Sequence, residues 1–96
     1  MTGAVERAVR RGAKLLDERL GKGWRRKIRR RELDMADCQK CIVGQLYGGY
    51  EEGITELGIW DEDSKYGFEV PEWGPGEWKK YEELTQAWRE ILRERS

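Results

Sequence analysis

The chain has 96 residues, 40 % of them charged, and a formal net charge of zero. That length bounds it to one domain with one modest core. So polar a composition would suit a disordered chain, but five Trp and four Tyr bring large buried area per residue and argue against it.

The neutral total hides a segregation. Residues 1–31 carry twelve Lys/Arg against three acidic residues, whereas residues 32–96 carry seven against sixteen, a split of +9 and −9. The densest run is "RRKIRRR", with six cations in seven positions. Its cations are Arg25, Arg26, Lys27, Arg29, Arg30 and Arg31. Either they grip a polyanion, or they lie against acidic surface of this chain or of a second copy.

In chain order, Val5, Ala8, Val9, Gly12, Leu16 and Leu20 recur at helical spacing. They predict an amphipathic helix from about Thr2, its N-cap, to Leu20, with Gly21 past the end. The start is charged every few residues, so neither a signal peptide nor a membrane span is expected. After the break at "GKG", Trp24 and Ile28 share one helical face, and the alternation of Leu33 and Met35 reads as a short extended connector. A second helix is expected from about Met35 to Tyr47, capped by Asp34 or Asp37 and stopped by Gly48 and Gly49. "YEEGITEL" reads as a short third helix with Ile54 and Leu57 inward, ending at Gly58. Residues 59–77 lose periodicity but carry Trp60, Tyr66, Phe68, Val70 and Trp73, which predicts an ordered aromatic loop or a short hairpin. Tyr81, Leu84, Trp88 and Ile91 form the seam of a last helix, about Trp78 to Arg95. The expected fold is mainly α: a single helical domain, 1–96, of three to four helices.

"CQKC", Cys38 to Cys41, admits three readings. Structural zinc takes four ligands, and this chain has two Cys and no His, so a site needs nearby carboxylates or two further Cys from a second copy. Redox chemistry needs a depressed thiolate pKa; Asp34 and Asp37 oppose that, and no thioredoxin-like β-α-β pattern surrounds the pair. The favoured reading is a core helix in which Cys38, Cys41 or Ile42, Gln45 and Leu46 face inward, with Gly44 allowing close approach of another helix or a Trp ring. Cys38 and Cys41 remain the metal candidates, and no cofactor is expected. Without His there is no Ser–His or Cys–His pair, and no phosphate loop is present, so an enzyme is not expected.

The order of "AKLLDERL", Trp24 and Ile28, "LDMADCQKCIVGQLYGGYEEGITELGI", "YGFEV" and "YEELTQAWREIL" resembles small proteins of actinobacterial phages and prophages, with C-x-x-C-x-x-G-Q-L-Y-G as the most specific core. The resemblance implies a phage origin and a cytoplasmic setting in the infected bacterial cell. It brings no activity and no functional residues to carry over, and at Arg29 to Arg31 that group is more often acidic or mixed. The expected function is non-enzymatic binding of a host or phage protein, through Trp60, Tyr66, Phe68 and Trp73 with the acidic surface of 51–72. The alternatives are nucleic-acid binding through the basic run, with Arg10, Arg11 and Lys14 beside it, and a metal- or redox-linked role for Cys38 and Cys41. A homodimer would serve the pairing of opposite charges between copies, or a zinc site shared by two copies; no membrane partner is expected.

Overall fold

The apolar spacing of the first segment gives α1, Gly3–Leu20, which buries Val9, Gly12, Ala13 and Leu16 along one stripe. The computed structural model describes residues 3–70 and 77–94, so the expected cap Thr2 lies outside the described residues. Gly21 ends α1, and the chain turns into a 3₁₀ segment, Lys22–Lys27, that drives Trp24 into the core. Trp24 is 1 % exposed, and its indole N–H donates to Asp17 Oδ1 at 2.8 Å, so the ring is buried without an orphaned donor. Ile28 follows it inward.

A second 3₁₀ segment, Arg30–Glu32, precedes the connector. Leu33 and Met35 both point into the core, as their alternation implies. The Met35 amide donates to Thr85 Oγ1 at 2.9 Å, which ties the connector to the last helix. The helix expected from Met35 begins later: α2 spans Ile42–Tyr47. The reason is local. Asp34 Oδ1 accepts from the Ala36 amide at 3.0 Å, and Asp37 Oδ1 accepts from Gln39 and Lys40 at 2.7 and 3.1 Å. Short acidic side chains that bond the backbone two or three residues on favour turns over helix. Gln45 then clamps the connector to α2: its Oε1 accepts from the Arg29 amide at 2.6 Å and its Nε2 donates to Lys40 O at 2.8 Å.

Left-handed Gly48 closes α2, and α3 spans Tyr50–Leu57, ending at Gly58 with Ile54 and Leu57 buried. Residues 59–68 are a chain of turns, and no strand occurs among the described residues, so the hairpin alternative does not form there. α4, Glu77–Arg93, buries the whole seam of Tyr81, Leu84, Trp88 and Ile91, with Thr85 and Ala87 beside it. α1 and α4 pack through Gly12: a Cβ there would lie 2.1 Å from the Tyr66 carbonyl oxygen and 3.0 Å from the Trp88 ring. Only glycine lets the turn and the indole reach that surface.

The centre of the core is aromatic. Trp24 meets Trp88 edge-on at 6.2 Å, and Phe68 stacks on Trp88 at 5.5 Å with planes 7° apart. Trp88 is 0 % exposed and donates its indole N–H to Gly67 O at 2.6 Å. Truncating such a ring to Ala costs about 3–5 kcal/mol, a large share of a small domain's stability. The radius of gyration, 12.0 Å, agrees with the roughly 12.5 Å of one compact body of this length.

Candidate functional site

The two cysteines part company. Cys41 is 1 % exposed and is the N-cap of α2, its Sγ accepting from the Gly44 amide at 3.2 Å. Burial pushes its thiol up to about 11, so it is a poor thiolate. Cys38 is exposed. The expectation that both face the core is therefore corrected: the C-x-x-C is a turn, and only its second thiol is buried. Gly44 admits not a helix or a Trp ring but that turn itself, since a Cβ would lie 2.2 Å from Cys38 O. Among the described residues no group of three or more His, Cys, Asp or Glu is placed to hold a metal ion.

The aromatic loop is also divided. Phe68 is 1 % exposed and belongs to the core, which corrects its assignment to a contact patch. Tyr66 is half-buried, with Lys65 Nζ 5.9 Å from its ring centre. Trp60 is 53 % exposed and stays available, and Trp73 lies outside the described residues. Beneath the loop the Tyr50 hydroxyl donates to Asp63 Oδ2. Burial first and that hydrogen bond second hold the Tyr50 hydroxyl protonated far beyond its ordinary range. Burial, with Asp63 beside it, raises the Glu69 carboxyl.

In the basic run, Arg25 is structural rather than free. Its guanidinium pairs with Asp17 Oδ1 at 3.0 Å and lies 5.0 Å from the Trp24 ring centre, with the side chain 14 % exposed. Arg26, Lys27, Arg29, Arg30 and Arg31 are exposed. Among the described residues, no carboxylate pairs with Arg26, Lys27, Arg30 or Arg31. Among the described residues, the ion pairs that tie 1–31 to acids beyond it are Arg10 with Glu94 at 2.6 Å and Arg29 with adjoining Glu32 at 3.9 Å. Of the adjacent α1 cations, Arg10 is thus paired and Arg11 donates to Lys65 O at 2.9 Å, so both brace the fold.

A broad open groove of about 1320 Å³ runs between the connector and α4. Leu33, Ala36, Trp78 and Tyr81 give it apolar lining; Arg31, Lys40, Lys79 and Arg89 face Glu32, Asp34, Glu82 and Glu83 around it. Trp78 is 59 % exposed. Sequence reasoning missed it, although the seam held the signal: Trp78 lies three residues before Tyr81 and prolongs the apolar stripe one turn past the core. No helix among the described residues is long and apolar enough to cross a membrane. Comparison with protein-family models, curated proteins and solved structures gives no match.

Proposed function

We propose that the protein is a non-enzymatic accessory protein that binds a protein partner through the groove between the connector and α4, as a phage-encoded protein in the cytoplasm of the infected bacterial cell. The observation that carries this reading is Trp78. An indole 59 % exposed at an open groove lined by Leu33, Ala36 and Tyr81 is the kind of anchor that interfaces bury. The charges of both signs around the groove suit the polar rim of a protein–protein contact better than a phosphate track. Trp60, in the acidic stretch after α3, offers a second aromatic contact.

The test compares capture from nuclease-treated host lysate by the parent and by Trp78→Ala. The expected result is one protein held by the parent and released by Trp78→Ala at unchanged melting temperature. The same proteins held by both variants would sink the reading.

The exposed cations support one second reading, nucleic-acid binding. With Arg25 engaged by Asp17, five exposed cations remain in the run, so the slope of log affinity against log salt on duplex DNA would be at most about −4.5. A slope near zero, or binding too weak to measure at low salt, removes it.

A further inference from the structure

Arg30 and Arg31 project from the second 3₁₀ segment, and Arg89 and Arg93 stand one turn apart on α4. These four arginines, from segments more than fifty positions apart in the chain, line one concavity of about 400 Å³. We infer that this cradle binds an isolated phosphate group, free or carried as a monoester.

Like charges gathered at one place repel, and a bound dianion converts that cost into attraction. The guanidinium is the group suited to it, because its planar fork meets two oxygens of a phosphate at once. The donors are partly organised already. Arg89 donates through one terminal nitrogen to Leu33 O at 3.2 Å, which fixes its plane and leaves other N–H groups free. Arg93 is held by Glu90 at 3.0 Å. Among the described residues no carboxylate pairs with Arg30, Arg31 or Arg89, so these three are not spent on internal ion pairs.

The surroundings select one phosphate over a strand of them. The groove shares Arg31 and Arg89 with the cradle, but it continues past Glu32, Asp34, Glu82 and Glu83. A nucleic-acid strand, charged at every nucleotide, would be carried against those carboxylates. A single phosphate on a small molecule or on a phosphorylated side chain meets a lining of arginines, with Glu90 turned to Arg93 beside it. The cradle does not depend on the partner assigned to the groove, since small anions probe it directly.

The experiment follows the arginine Nε–H resonances of the full chain by NMR, at constant ionic strength in chloride. Inorganic phosphate and a doubly blocked phosphoserine are titrated separately. Saturable shifts confined to Arg30, Arg31, Arg89 and Arg93 are expected. Tighter phosphoserine binding identifies a phosphorylated side chain as the source; tighter inorganic phosphate identifies a free anion. Arg30→Gln and Arg31→Gln, exposed and without internal ion pairs, should each weaken binding about tenfold, as losing a charge-assisted hydrogen bond does, while Lys27→Gln should not. They keep the test valid if Arg89→Gln disturbs the connector. No saturable response to either anion overturns the site. So does a response that Arg30→Gln and Arg31→Gln leave intact, equal weakening by Lys27→Gln, or displacement of phosphate by a single-stranded oligonucleotide.

Discussion

At pH 8 the Cys41 thiol, pushed up to about 11 by burial, is thiolate in roughly one molecule in a thousand. Cys38, three positions earlier, is exposed on the turn. Since the thiolate is the nucleophile, a neutral thiol reagent should modify one cysteine of the folded chain promptly and reach the second only in denaturant. Peptide mapping should place the first adduct on Cys38; prompt labelling of both would show that the cap of α2 opens in the native state. The sequence could not have separated the pair. The core-helix reading of the C-x-x-C treated the residues as equivalent, and what distinguishes them is the backbone of 38–39 lying on Gly44.

The late start of α2 depends in part on Asp37 Oδ1, which takes the amides of Gln39 and Lys40. Asp37→Ala should therefore cost about 1 kcal/mol, as loss of a helix cap does. For a domain of this size that lowers the melting temperature by about 4–8 °C. Hydrogen exchange should quicken at 39 and 40 and stay slow in α4; exchange unchanged at both would show that the Asp37 carboxylate does not hold the turn, since the Asp37 carbonyl accepts from Lys40 and Cys41 but not from Gln39. α3 and α4 were legible because their apolar residues repeat at helical spacing between glycines or over a long seam. α2 was not, because local side-chain bonding competes with periodicity and leaves no trace in the apolar pattern. The same limit explains Phe68 and Trp60. Both are aromatic residues in a stretch without period, and only the stacking on Trp88 decides that the first is core.

At the scale of the molecule, two carboxyls among the described residues respond to pH with opposite sign. Glu94 is held below its ordinary range by hydrogen bonding from Arg10, so its contribution is present above the unfolded value and is lost as pH falls through the lower folded one. Both partners are about half exposed, so salt screens the pair. Glu69 is raised, by burial and then by Asp63. Its favourable contribution is complete below the unfolded pKa and disappears as pH rises through the folded one, leaving an unfavourable carboxylate at neutrality. Glu69→Gln should therefore raise the melting temperature at pH 7 and change it little at pH 4. A gain of the same size at both would show that charge is not the cause. Only the segregation of charge was legible at this scale; which cations stay unpaired depends on which helices meet.

The burial of the four described indoles also divides their light emission into two populations. Trp24 and Trp88 are 1 % and 0 % exposed, while Trp60 and Trp78 are 53 % and 59 % exposed. The first pair, in dry contact edge-on, should resist an aqueous quencher and give a strong near-ultraviolet dichroism that disappears on unfolding. The second pair should emit to the red and be quenched freely, with Trp78→Phe removing part of that component. A partner seated in the groove would shift the Trp78 part of the red component to the blue and shield it, while leaving the dichroism of the buried pair untouched. The folded state and the occupancy of the groove can thus be followed separately in one cuvette, without a label.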